Sequence, residues 1–288
     1  MKIGVSSYSF NKYMKATEGI TYLDVCRMAK EMGYDGIEFI GLDTEKYSHG
    51  ESAVECAAEI RKYCEEIGLE IIAYAVGANL LADNIEEEIE KLCACVDVAA
   101  ALGAPLMRHD VCSKLPEKPL YNWRDALNDM VPSIRRVTEY AKSKGIRTCT
   151  ENHGKIFQAP ERVEELIRTV GNENYGWLCD IGNFLCADVD PLKAVAVAAP
   201  YAIHVHAKDF IFKSAVEERP EGFFDTLAGN HLRGTVLGHG IVPVAACIKL
   251  LQTAGYNGWL SLEFEGLEDN LTAVKMGHDY LRAHTAKG

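Results

Sequence analysis

Short apolar runs alternate with longer amphipathic stretches along the whole chain and predict an α/β protein folded as a (β/α)8 TIM barrel. Three observations carry this expectation. There are eight such alternations, the pattern of a parallel sheet with helical crossovers. Glycine stands where several helical stretches give way to the next apolar run, as in EMGYDGIEF, EEIGLEIIAY, KSKGIRTCTE and TAGYNGWLSLE, the place where a left-handed turn ends a helix. Four successive later runs end in a carboxylate or an imidazole, and the C-terminal strand ends of such a barrel form its active-site face.

The first strand is expected over Ile3–Ser7. It is followed by TYLDVCRMAKEMG, whose apolar residues recur at helical spacing and stop at Gly33. GIEFI at Gly36–Ile40 is the second strand, with a helix near Ser52–Ile67. LEIIAYA at Leu69–Ala75 is the third, with a helix near Ile85–Leu102. APLMRH at Ala104–His109 is the fourth, with a helix near Trp123–Lys144. IRTCTE at Ile146–Glu151 and YGWLCD at Tyr175–Asp180 are the fifth and sixth, with helices near Pro160–Val170 and Pro191–Ala198. AIHVHA at Ala202–Ala207 and GWLSLE at Gly258–Glu263 are the seventh and eighth, and a closing helix lies near Asp269–His284. An open doubly wound sheet is the rival, but no GxGxxG follows the first strand. The stretch Phe210–Gly240 is too long for an ordinary connection and is expected as a long binding loop. With no Pro-rich or Ser-rich linker, residues 1–288 are expected to form a single domain.

Composition narrows the function classes. The formal charge is -12 over 288 residues, which offers no long-range attraction to nucleic acid or an anionic membrane. No apolar run reaches membrane-spanning length. The ten cysteines show no CxxC pair and no zinc-finger spacing, so they read as buried thiols in a reducing, cytoplasmic protein.

The chemistry is concentrated at the strand ends. Glu151, Asp180, His206 and Glu263 end strands five, six, seven and eight. Three carboxylates and an imidazole converging on one rim would repel one another without a cation. With a divalent ion they form an oxygen-rich site, which suits manganese, magnesium or cobalt better than structural zinc. A single acid after a strand can equally be a helix cap, but four in register on adjacent strands are not explained by capping.

The runs CTENHG, CDIGN, HVHAKD and GWLSLEFEG, with GVSSYSF and GYDGIEF near the N-terminus, resemble the xylose isomerase-like barrels. These include ketose 3-epimerases, inosose dehydratases and endonuclease IV. The resemblance covers essentially the whole chain. It implies Glu151, Asp180, His206 and Glu263 as ligands of one divalent metal, Mn2+ first, with Mg2+, Co2+ or Zn2+ as alternatives. Glu265 competes with Glu263 for the last place. It also implies Glu151 and Glu263 as the catalytic acid/base pair and a carbohydrate or polyol as substrate. The implied activity is that of a sugar or sugar phosphate isomerase/epimerase working by proton abstraction next to a carbonyl through an enediolate. The alternative is an inosose- or dehydroshikimate-type dehydratase on the same site. The sequence departs from the 3-epimerases after strand seven, where HAKDFIFKS replaces a GExNR-like stretch, and this raises the dehydratase alternative. An endonuclease IV-like nuclease is disfavoured by the acidic charge and by Asn183 standing where a histidine is expected. A homo-oligomer is expected from the resemblance alone.

Several residues are expected around that centre. Lys208 and His153 each lie two residues past a ligand, share its strand parity, and are candidates for contact with substrate. His109, Glu38, Arg233 and Tyr8 are further substrate-binding candidates, with Arg108 beside His109 at the end of strand four. Asn183 and His204 are expected to stand behind the ligands, Asn183 by hydrogen-bonding a ligand carboxylate. Phe10 and Tyr74 are aromatic strand-end residues that either wall the site or simply pack. The turn Gly238–Gly240, GHG, is expected near substrate, where its loop could receive a phosphate or carboxylate.

Overall fold

The computed structural model describes residues 1–285. Eight parallel strands close into a barrel: β1 (Lys2–Ser6), β2 (Gly36–Ile40), β3 (Glu70–Val76), β4 (Leu106–His109), β5 (Arg147–Glu151), β6 (Tyr175–Asp180), β7 (Ala202–Ala207) and, last in the chain, β11 (Trp259–Leu262). β11 pairs with both β7 and β1 and so closes the ring. The expected barrel is thus the observed one, with strand limits shifted by one or two residues, the scatter ordinary at element ends.

Local chemistry explains the regularity. Thr21, Ser52 and Asn122 each cap a helix through a reciprocal capping box with the acid three residues on. The glycines that end the helices lie in the left-handed region, Gly33, Gly68, Gly145 and Gly255 among them. The apolar faces of the helices pack onto the outward-facing residues of the strands and form the main core.

The barrel interior is filled separately. Ala73, Leu106, Cys149 and Leu178, with Ile203 against them, form a small apolar plug. Two register shifts shape its floor, one between Ile37 and Glu38 in the β2/β3 pair and one between Trp177 and Leu178 in the β6/β7 pair. Each brings an extra branched side chain inward, Ile72 and Ile203. Glycines make the room: a Cβ on Gly4 would lie 2.3 Å from Ile72 Cδ1, and one on Gly176 would lie 2.8 Å from Ile203. Above this plug the inward positions are mainly polar, Glu38, Arg108, Glu151, Asp180 and His206 among them, so the plug is the pedestal of the site.

The stretch expected as an irregular loop carries a small antiparallel sheet. β8 (Asp209–Lys213) and β9 (Phe224–Asp225) flank β10 (His231–Thr235). Its alternation, as in DFIFK and HLRGT, is short and interrupted by ERPEG, which hid it from a search for barrel strands. Asp209 fastens the excursion at its root, accepting hydrogen bonds from the backbone N–H of Phe210, Gly238, Gly240 and Val242 at 2.8–2.9 Å. The GHG turn therefore closes on this protein's own aspartate: a Cβ on Gly240 would lie 2.2 Å from Asp209 Oδ1. The loop's expected anion-binding role fails at this turn, because Asp209 already takes the Gly238 and Gly240 N–H groups. Among the described residues no helix is long and apolar enough to cross a membrane, and all ten cysteines are free thiols.

Gly4→Ala is expected to lower stability by about 1–3 kcal/mol, the usual cost of overpacking. Its clash is with Ile72 Cδ1, so adding Ile72→Val should return part of the loss. Denaturant unfolding of the two single variants and the double variant checks this, and strict additivity would count against the packing described.

Candidate metal centre

Strand alternation decides who faces the barrel axis. In β4, Leu106 joins the interior plug, so Arg108 also points in and His109 points out. Glu151, Asp180 and His206 point in by the same count. Glu263 follows directly after β11. One ligand atom from each of these four lies within 4.8 Å of all the others, and the residues are buried or nearly so. His206 Nδ1 is 3.7 Å from Asp180 Oδ2, 3.7 Å from Glu263 Oε2 and 3.9 Å from Glu151 Oε1. Of the two rival glutamates, Glu263 supplies an oxygen to this quartet and Glu265 does not.

The groups behind the quartet fix it in place. Asp180 Oδ1 accepts the backbone N–H groups of Gly182 and Asn183, each at 2.8 Å, which leaves Oδ2 aimed at the cluster. Asn183 Nδ2 donates to Glu151 Oε1 at 2.8 Å, as its position in the sequence suggested. Arg108 Nη2 lies 2.6 Å from Glu151 Oε2 and 3.0 Å from Asp110 Oδ1. Lys208 Nζ lies 3.1 Å from Asp180 Oδ2 and also contacts Glu263. Gly182 lets the lysine stem pass, since a Cβ there would meet Lys208 Cγ at 2.4 Å.

Glu38 corrects an expectation. It was a substrate-binding candidate, yet it is fully buried behind His206. One of its oxygens lies 2.6 Å from His206 Nε2 and the other accepts from His204 Nε2 at 2.6 Å. Glu38 Oε1 and His206 Nε2 are close without being well directed for a hydrogen bond, but a carboxylate on that side of the ring sets its charge against the imidazole and leaves Nδ1 facing the cluster. His204 stands behind the site, as its parity implied, and completes the pairing of a buried charge.

His109 is also corrected. It is fully buried and faces the helices, its Nδ1 bonded to the Asp110 carbonyl at 2.8 Å and its ring 5.9 Å from that of Tyr175. Its odd spacing from Leu106 and Arg108 already placed it outside the barrel. Phe10 and Tyr74 belong to the apolar core. Arg233 turns to Glu268, at 3.4 Å, and to the ring of Phe223, and none of these partners belongs to the quartet. His153 stands half exposed at the rim, its Nδ1 3.0 Å from Asp110 Oδ1. Tyr8 is 37% exposed at the end of β1.

Two contributors went unseen in the sequence. Asp110 links Arg108 to His153 across the rim. Asn152 accepts from Asp180 N–H and Trp177 Nε1, each at 3.0 Å, and donates to the Asp180 carbonyl at 2.8 Å, so it pins the strand end that carries Asp180. Asn152 lies between two residues with attractive roles, Glu151 and His153, and its outward parity gave no signal.

The electrostatics are those of a charge trap. Burial pushes Asp180 up, but Lys208, His206 and the Asn183 N–H more than offset this and hold its carboxyl at about 2. Burial pulls the His206 imidazole down, but Glu38 and Glu263 raise it well above the ordinary histidine value. Burial raises Glu151 against the opposing pull of Arg108. Asp180 Oδ2 and His206 Nδ1 are buried without a properly directed hydrogen bond. Orphaned atoms of this kind are costly, and an oxygen-rich set with one imidazole fits a divalent cation. The quartet would hold the ion, and Glu38 would hold His206 to it.

A closed (β/α)8 barrel with an acid-rich, metal-ready rim at its C-terminal face defines a class of sugar-modifying enzymes. The family description "xylose isomerase-like TIM barrel" matches residues 26–284, and the chain belongs to that family. Among its relatives, a rhizopine catabolism protein, MocC, of Rhizobium meliloti is 27% identical over 91% of this chain and 82% of its own. An inosose dehydratase of Geobacillus thermodenitrificans is 24% identical over 92% of this chain and 90% of its own. Among solved structures, a probable 3-DHS dehydratase from Bacillus anthracis matches with a TM-score of 0.75 at 20% identity, over 100% of both chains. The IolI protein with a bound zinc atom matches at 0.75 and 16% identity, over 99% of this chain and 98% of its own. An L-ribulose 3-epimerase matches at 0.73 and 17%, over 98% and 94%. These structural likenesses establish the fold.

Three outcomes are expected by titration calorimetry with Mn2+. Asp180→Asn should abolish binding. Glu38→Gln should weaken it by about 10–100-fold, the usual effect of removing a histidine's supporting carboxylate. Below the raised pKa of His206, affinity should fall by about tenfold per pH unit, because Nδ1 must lose its proton to bind the ion. Full affinity in Asp180→Asn, or binding indifferent to pH, would contradict the assignment.

Proposed function

We propose that the chain is a divalent-metal-dependent enzyme that removes a proton next to the carbonyl of a polyol or sugar ketone and then expels a hydroxyl group, a dehydratase of the inosose or dehydroshikimate type. One observation carries the choice. The two glutamates of the quartet are not equivalent. Both oxygens of Glu151 are engaged, one by Arg108 and one by Asn183. Glu263 lies at the more open edge of the site, its side chain 11% exposed, against the ammonium of Lys208. An epimerase needs an acid/base on each face of one carbon. Here one face holds a carboxylate that is fastened in place, and the other holds a freer one.

The ion, when bound, would polarise the ketone and make the neighbouring C–H acidic. The protein's own groups do the rest. Arg108 and Asn183 keep Glu151 oriented. Glu263 takes the proton and returns it to the departing hydroxyl, so water leaves and a double bond remains. Lys208 stabilises the negative charge that develops on the substrate oxygen. His153, oriented by Asp110, and Tyr8 stand at the rim to meet substrate hydroxyls. The dehydratase names among the relatives and structural neighbours support this reading.

A 3-epimerase is the second reading. It is favoured by the placement of Glu151 and Glu263 on strands separated by β6 and β7, on different sides of the cluster.

Proton NMR in D2O, with Mn2+ removed before acquisition, distinguishes them after incubation with inososes, dehydroshikimate and ketohexoses. A dehydrated product is expected. A deuterated epimer would favour the second reading, and no exchange with any of these ketones would overturn both. Glu263→Gln should lower turnover by about 10^2–10^4-fold, the range for loss of a general base. Lys208→Ala should lower turnover with the metal retained.

A further inference from the structure

A cavity of about 370 Å³ opens on the same face of the barrel as the metal centre, between the segment after β1 and the segment after β2. Its volume is that of a small-molecule pocket. Three aromatic rings wall it: Tyr8, Tyr22 and Tyr47. Tyr22 meets Tyr47 edge-on at 5.7 Å and Phe39 at 5.8 Å, so the wall is braced from behind. The Tyr22 hydroxyl is committed to the backbone N–H of Asp43 at 2.7 Å, so Tyr22 offers its ring rather than a polar handle. Polar groups stand at the same cavity in Asn11, Asp43 and Lys15. Apolar ring faces beside a few hydrogen-bonding groups are what a saccharide ring needs, since its C–H face stacks and its hydroxyl edge bonds.

Tyr8 joins this cavity to the metal centre. Its ring lines the cavity, while burial and then the charges of Glu265 and Glu263 raise its phenol above the ordinary tyrosine value. One residue on, Ser9 Oγ donates to the Leu262 carbonyl at 3.1 Å and accepts from the Phe264 N–H at 2.9 Å, on either side of Glu263, so the segment that carries Tyr8 is fastened beside the acid cluster. A lone inosose or hexulose needs only the metal centre.

We propose that this cavity is a second-ring subsite and that the substrate is a keto-polyol carrying a further saccharide ring. The inference rests on the reading above only for which end of the substrate reacts. The second ring lies over Tyr47 and Tyr22, and Asn11 and Lys15 receive its hydroxyls, since Lys46 already engages both oxygens of Asp43. Tyr47 is a specificity residue with no contact to the metal quartet.

Binding is measured by saturation-transfer and titration NMR with methyl β-glucoside, methyl β-cellobioside and phenyl β-glucoside as inert probes, on the protein loaded with diamagnetic Mg2+. The cellobioside should bind about tenfold more tightly than the methyl glucoside, the gain expected from burying one apolar ring face. Tyr47→Ala should erase that difference with Mn2+ affinity unchanged, and Tyr47→Phe should keep it. Equal binding of the one-ring and two-ring probes would overturn the subsite. So would a difference that survives Tyr47→Ala. A gain with the phenyl glucoside alone would overturn its saccharide character. These probes carry no ketone, so they report on the subsite even if the exchange experiment with ketones fails, and the two failures remain distinguishable.

Discussion

The arrangement of this barrel mouth follows from one constraint: three carboxylates share a buried space with a single imidazole. Such a cluster is costly to assemble unless positive charge is built in around it. Arg108 supplies a permanent charge to Glu151, Lys208 lies between Asp180 and Glu263, and His206 faces all three acids. Glu38 takes the opposite side of His206 and is balanced in turn by His204. The network is dense in ionisable groups and nearly dry, yet Glu38 Oε1, Arg108 Nε, Asp180 Oδ2 and both ring nitrogens of His206 stay without a directed hydrogen bond. A divalent ion held by the quartet would give Asp180 Oδ2 and His206 Nδ1 the partner they lack.

The scaffold serves this constraint by stacking. The apolar plug below the quartet, with Ile72 and Ile203 brought inward over glycines, gives the charged layer a rigid floor. The excursion after β7 starts at Lys208 and Asp209, so the lysine that touches Asp180 and Glu263 stands at the root of the added sheet. At the far end of that sheet Asp188, five residues beyond Asn183, accepts from Thr226, Ala228 and Asn230 at 2.7–2.8 Å. The excursion is thus tied at its root and its tip to the two segments that carry Lys208 and Asp180.

Much of this was legible in the sequence because strand parity is a strict rule. Asp180, His206 and Glu151 end apolar runs at inward positions, and a parallel barrel brings such ends together whatever the loops do. The same rule, applied further, would have turned His109 away from the site and put Glu38 on the axis facing β7. What parity could not reveal was depth: two register shifts drop Glu38 behind His206 instead of beside the substrate. Asn152 and Asp110 act through backbone and partner geometry that exists only after folding. The sheet of β8, β9 and β10 escaped notice because its strands are short and split by a polar turn, and Arg233 within it turned to Glu268, a residue 35 positions away that no local pattern foretells.

The most direct test of the central claim is anomalous X-ray diffraction from crystals of the Mn2+-loaded protein. The account predicts one strong peak bounded by Glu151, Asp180, His206 Nδ1 and Glu263, at ligand distances of about 2.0–2.3 Å, with Glu38 still on His206 Nε2. A peak elsewhere would contradict it.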